Sequence, residues 1–313
     1  MRRAFIAAVG RIRDQVNLGR LRAALAGGDV KKVQDIAGAG RVRSVLSNDE
    51  AFMRSFQRTV TASGVAGADV LSGVVGVEVQ FNARDPRVVQ FAREQSSEMV
   101  RHISEGAREA VRVMIAAGAD LGITTVQQAR AIREAVGLPP NWATAPMNLR
   151  NEILSGQAGN ATARRLSATD KAQIRSRISN ETVTEEFANE MAVKYEKSLI
   201  NRRAQNIART ETLRAAHAGQ HIGWKQAIED KVLPSTTRRI WIITPDERLS
   251  EEHEQIPALN PDGRGMEEPF LTLGPQGAFD YPPIRTNCRC GVGLVFPETL
   301  ESGEQAGDLG FAS

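Results

Sequence analysis

Cysteine is nearly absent from this sequence: there are two in 313 residues, Cys288 and Cys290, with one residue between them. A pair so close in the chain cannot staple distant segments, so no oxidising compartment is implied. Long hydrophobic runs are missing too. The longest, such as Val113 to Ala117, fall far short of the roughly 20 residues of a membrane helix. Met1-Arg2-Arg3 is followed by only a short apolar stretch, under the roughly 7 to 15 residues of a signal-peptide core. The expectation is a chain made and kept in the cytoplasm, or in a particle assembled there, with no membrane partner.

Catalytic signatures are equally scarce. His253-Glu254 lacks the second histidine that a zinc-protease helix places one turn on. No Ser, Cys and His set surrounds a nucleophile turn, and no Gly-rich phosphate loop follows a strand. Thr210-Glu211-Thr212 offers a single carboxylate where sugar hydrolysis uses a pair. These gaps point to a structural or binding protein rather than an enzyme, and no catalytic residue is assigned.

What is present is ordinary soluble composition, 41% hydrophobic and 25% charged, in a chain long enough for two domains. The formal charge of +3 is unevenly spread. Residues 1–60 hold twelve Arg or Lys against five acids, which leaves +7 there and −4 over the remainder. Arg2, Arg3, Arg11, Arg13, Arg20 and Arg22 form a basic arm. It suits phosphate, an acidic protein surface, or simple solvation of a basic helix face.

The pattern predicts a mainly α chain with a small C-terminal α+β module, extended helices leading into a short-stranded β unit. Residues 2–46 read as two helical pieces broken at Gly27-Gly28, with Ile6, Val9, Ile12, Val16 and Leu18 near helical spacing. The β-branched, partly alternating stretch within 61–81 reads as a short hairpin or an ordered loop. Asp85-Pro86 opens a helix to about Ala117, because Asp accepts bonds from orphan amides and Pro loses no needed donor at the first helical position. Thr124-x-x-Gln127 is a capping box opening a helix that ends before Gly137, and a short helix follows around Pro146 to Ser155.

Gly156 to Asp170 reads as a polar linker, followed by a helix from Ser167 to Ile178. Thr182-Val183-Thr184-Glu185 then launches the longest helix, to about Ile228, with a break near Asn201 or Gly219. Within it Phe187, Met191, Tyr195 and Leu199 recur every four residues, as core positions do. Between Lys231 and Gly291 eight prolines forbid long helices, Arg239–Thr244 and Gly291–Phe296 read as strands, and Asn260-Pro261-Asp262-Gly263 is a turn. In chain order this gives a basic helical arm with a Gly-rich segment (1–84), a helical segment (85–160), the long-helix region (161–230), a β module (231–297) and a loose acidic tail (298–313).

The polar residues that gather between 206 and 290 are the candidate site. Arg209, Thr210, Glu211 and Thr212, with Asp246 and Arg248 after the first strand, form a structural polar cluster. Its role would be to fix how the long helix enters the β module, with Glu211 and Arg214 spaced to pair on the helix. Cys288 and Cys290 are two apart, so on an extended backbone both sulfurs face one side, and a disulfide across that spacing would strain the chain. Two readings stand: a reduced, half-buried thiol pair, or a metal site in which His253 joins the two thiolates and zinc is the ion. For the latter the fourth ligand would be Asp246 or water, since His217 and His221 lie on the helix.

An ordered set of these pieces resembles the Mu F-like family of tailed-phage minor head proteins. The set is Ile207-Ala208-Arg209-Thr210-Glu211-Thr212, Gly219-Gln220, Trp224, Trp241 to Thr244, Asp246-x-Arg248, His253, Asp262-Gly263, and Pro282-Pro283 leading to Asn287-Cys288-Arg289-Cys290. It spans about residues 185–296. The chain departs from the family at Ser250, where members carry a Cys or similar ligand, and at Arg285, where they carry a His. Both departures remove candidate ligands, and the replacement expected is a hydrogen-bonded cluster of Asp246, Arg248 and His253. The resemblance implies a non-enzymatic virion protein inside the capsid. Its partners would be the portal and the major capsid or scaffolding protein, and its work head assembly, with DNA packaging or ejection as a further role. The alternative is a protein that binds or modifies double-stranded DNA through the basic arm.

Overall fold

The computed structural model describes residues 1–118, 124–247, 249–273 and 277–295, with backbone alone at 51–53. The chain is mainly helical with a few short antiparallel strands near its C-terminal end. Helices run α1 Arg2–Asp14, α2 Leu18–Ala26, α3 Val30–Ile36, α4 Arg41–Ser47, α5 Glu50–Val75, α6 Pro86–Ala116, α7 Thr125–Ala135, α8 Ala145–Leu154, α9 Ala158–Ala163, α10 Ala168–Ser179 and α11 Glu185–Glu229. Strand β1, Arg238–Ile242, is followed by the single turns α12 Glu251–Glu254 and α13 Ile256–Leu259. Strands β2 Phe270–Leu271, β3 Ala278–Phe279 and β4 Gly291–Val295 complete the chain order. Among the described residues no helix is long and apolar enough to cross a membrane.

The chain divides into two compact units, each assembled from two separated stretches: Met1–Phe52 with Gln95–Gln205, and Met53–Glu94 with Asn206–Ser313. That division pairs distant segments, whereas the order read from the sequence is consecutive. It follows from α5, α6 and α11 each being long enough to pass from one unit into the other. The acidic tail lies outside the described residues.

The first unit is a helical assembly whose core draws on Phe5, Val9 and Ile12 of α1 and Ile103, Val111 and Met114 of α6. Phe187, Met191, Tyr195 and Leu199 of α11 are buried in it, as their spacing predicts. Residues 2–46 make four helices rather than two, because Asn17 and Asp29 each cap a new one by accepting from the amide three residues on. The capping box at Thr124 and Gln127 forms in full. The stretch 156–170 is not all linker: its small residues wind into α9, which buries Ala161 and Thr162. The cap of α11 falls at Thr184, whose hydroxyl accepts from the Phe187 amide at 3.2 Å, while Thr182 donates to the Arg177 carbonyl. Gly137 takes a φ of +96°, and a Cβ there would stand 2.6 Å from Val9, so the α7 exit can only be glycine.

In the second unit α5 and α11 cross closely. A Cβ on Gly219 would lie 2.3 Å from the Val60 carbonyl, and one on Gly64 would lie 2.3 Å from the Phe81 ring. Of the hairpin or ordered loop expected for the β-branched stretch within 61–81, the loop is what forms: α5 runs on to Val75 and no strand lies between Gly76 and Phe81. The small residues that lower helix propensity in α5 are the contact surface, and tertiary packing outweighs that propensity. Helix α11 runs unbroken past both expected breaks, Asn201 and Gly219, and the close crossing accounts for the glycine. At the end of α5 the Ser72 hydroxyl accepts from the Val79 amide at 2.8 Å. Asp85 caps α6 as expected, accepting from the Arg87 amide at 2.8 Å, and also receives Gln226 of α11 at 3.0 Å.

β1 and β4 form a two-stranded antiparallel ladder with Trp241 opposite Val292, and β2 and β3 a shorter one. Along β1, Arg239 and Trp241 point to the same buried face. Arg239 is fully buried, and its five N–H donors find the Gly265 carbonyl (3.2 and 2.8 Å), the Asp280 carbonyl (2.6 Å), the Glu268 carbonyl and His221 Nδ1 (3.4 Å). Its guanidinium also lies 5.1 Å from the centre of the Phe270 ring. A planar fork with five donors matches this cage, and an ammonium does not. Arg239→Met is therefore expected to leave three buried carbonyls without this donor and to cost about 3 kcal/mol or more. Arg239→Lys should not restore it. Chemical denaturation of the two variants checks this, and a Met variant as stable as the parent would refute the cage's role.

Candidate metal centre

Two segments of the second unit deliver the three candidate ligands. Cys288 and Cys290 sit in the residues just before β4, and the turn α12 presents His253 from the other side. His253 Nδ1 lies 3.3 Å from the Cys290 sulfur and 3.8 Å from the Cys288 sulfur. All three side chains are buried, and their ligand atoms fall within 4.8 Å of one another. The turn that carries the cysteines is held by the Cys288 amide on the Arg285 carbonyl (3.2 Å), and Asn287 takes the left-handed conformation with φ 64°. Asn287 also donates its amide to the Thr210 hydroxyl of α11 at 3.4 Å, and His217 Nε2 meets the Cys290 carbonyl at 3.3 Å. So α11 grips the thiol loop at two points one helical turn and more apart.

The electrostatics suit metal donors. A hydrogen bond from Cys290, helped by backbone amides and by the nearby Arg285, holds the Cys288 thiol down to about 6 against the opposing effect of burial. The same bond, with burial, pushes Cys290 up. Cys288 is thus the readier thiolate of the pair and Cys290 the more reluctant. Burial, then Arg285, keeps His253 neutral, its ligand form. The Trp241 indole N–H has no hydrogen-bond partner at ordinary distance and acts on Cys290 in the direction that favours its thiolate. Ligand atoms about 2.0 to 2.3 Å from a shared tetrahedral zinc would lie about 3.5 Å apart, between the two N–S distances found here.

The other sequence-predicted residues separate from this set. Thr210 and Glu211 are buried, Arg209 and Thr212 exposed, and Glu211 pairs with Arg214 at 2.8 Å as its spacing predicts. Asp246 is in an ion pair with Arg289 and is not among the ligand atoms gathered at His253, so it does not close the metal set. Arg248 lies outside the described residues. His217 and His221 are committed to the Cys290 carbonyl and to Arg239. On the basic arm, Arg2 donates to Asn201 (3.2 Å), Arg11 pairs with Asp49 (2.8 Å), and Arg13 with the buried Glu196 (2.6 Å). Arg3, Arg20 and Arg22 are exposed.

Sequence reasoning missed Arg239 and named Ser250 only as the loss of a candidate ligand. Arg239 was hidden in a strand pattern. Ser250, which opens α12, has a buried hydroxyl with no partner. Comparison with protein-family models, with curated proteins and with solved structures returned no match.

Three histidines of this unit share one sign. Burial pushes His217 and His253 below the ordinary value, and burial, then Arg239, Lys225 and Arg87, pushes His221 down to about 3. A folded pKa below the unfolded one means that stability is full above the unfolded value of about 6.5 and falls as pH drops toward the folded one. Each such histidine contributes a slope of about 1.4 kcal/mol per pH unit within that window. Replacing His221 with Gln is expected to flatten the dependence of unfolding free energy on pH between about 6.5 and 3 by one proton, as denaturant titrations at several pH values would show.

Proposed function

We propose that this chain is a structural minor head protein of a tailed phage, held inside the capsid against the portal while the head assembles. The observation that carries the reading is a convergence. The motif residues that carry the resemblance are scattered from Thr210 to Cys290, yet they meet in one module: Thr210 with Asn287, Asp246 with Arg289, and His253 with both cysteines. An ordered motif set that also closes on itself in space is more specific than its separate pieces. In this reading the module is an anchor, the helices supply surfaces for the portal and for the major capsid or scaffolding protein, and the chain acts by binding rather than by catalysis. Copies of the chain are expected in purified proheads and on isolated portals in fixed stoichiometry. Their absence from both would sink the assignment.

Zinc is the ion proposed for His253, Cys288 and Cys290. A neutral imidazole with two sulfur donors suits its borderline-soft character, and its role is to staple the thiol loop to α12. The full-length protein should carry one equivalent of zinc, lost on His253→Ala and on Cys288→Ser. Chelation should lower thermal stability in the parent and not in the variants. Metal-free protein after purification and after zinc dialysis would refute this.

A further inference from the structure

The buried polar atoms of the second unit that lack a hydrogen-bond partner include Ser250 Oγ, His253 Nε2 and Trp241 Nε1. Two of these residues have already been placed against the thiol pair, and the third begins the turn that carries the histidine. The His253 and Glu254 amides donate to the Ser250 carbonyl at 2.9 and 3.0 Å, so Ser250 stands one turn before the ligand, where side chains share a face. A serine at a helix start ordinarily caps it by accepting from an amide of the first turn. Ser250 makes no such bond, and its buried hydroxyl is left unmatched. An unmatched buried hydroxyl is unfavourable, which calls for a partner on that side of the turn.

The metal set has the complementary deficit. Among the described residues no fourth His, Cys, Asp or Glu joins His253, Cys288 and Cys290. Asp246, the carboxylate expected as a fourth ligand, is bound to Arg289. Zinc takes four ligands, and a site with three protein donors keeps its fourth position for water or another small molecule.

We infer that the metal held by His253, Cys288 and Cys290 has an exchangeable fourth position facing the Ser250 hydroxyl, occupied by water at rest and open to a small monodentate thiolate. This rests on the metal reading above. A water bound there gains two partners, the cation and the serine oxygen, which a buried water needs to be stable. The site therefore combines a structural staple with one open valence.

Cobalt(II) loaded into the full-length protein reports both halves of the claim, with 2-mercaptoethanol as the added donor. Wild-type protein should show thiolate-to-cobalt charge transfer for two sulfurs, and added thiol should raise it about 1.5-fold as a third sulfur enters. Ser250→Cys should show the raised intensity without added thiol and then fail to respond. If wild-type charge transfer is present but indifferent to thiol, another donor closes the site and the inference falls while the metal reading stands. If no charge transfer develops, the metal reading falls and takes the inference with it. The wild-type titration alone decides the matter should the variant not fold.

Discussion

The second unit depends on a buried cation held by carbonyls. Arg239 binds the backbone of Gly265, Glu268 and Asp280, three points in a region with almost no regular structure of its own. Short strands and single helical turns cannot define such loops by ladder bonds, so a side chain with five donors does it from the centre. Because Arg239 and Trp241 share one face of β1, the cage also sets where Trp241 stands. Phe270 lies under the guanidinium and meets the Trp241 ring edge-on, with centroids 5.2 Å apart. The indole in turn lies against Cys290. Loop geometry, strand placement and thiol chemistry are thus consecutive consequences of one residue.

The thiol pair and its histidine are buried within the apolar cluster that contains Trp224, Trp241, Phe270 and Val292. An apolar surround of this kind strengthens every charge effect in it. Polar links to α11 on one side and to Asp246 through Arg289 on the other keep the loop in place without involving the sulfurs.

Most helices were legible because their signals are local. Capping residues at Thr124 and Asp85, and the four-residue recurrence from Phe187 to Leu199, act within a turn or two of themselves. The reach of α5 to Val75 was not readable because the glycines before it serve a partner helix more than 130 residues away, and no window along the chain contains both. Glycine weakens a helix in isolation and permits a close crossing in company. For the site, the spacing of the cysteines and the nearby histidine sufficed to name the ligand set. The fate of Asp246 was not readable, because its partner Arg289 lies between those very cysteines and looks like part of their motif. Arg239 left no signal at all, since an arginine in a strand reads as an exposed residue until the loops fold over it.

The second unit is built from Met53–Glu94 and Asn206–Ser313, with more than a hundred residues of the first unit lying between. During synthesis at about 5 to 20 residues per second, the first segment would leave the ribosome several seconds before its partner exists. In that interval the crossing face of α5 around Val60 and Gly64 stands without the helix that covers it. The first unit has a similar wait, since Met1–Phe52 precedes Gln95–Gln205. Such interleaving makes the nascent chain dependent on late-arriving residues, with the cysteines among the last to join.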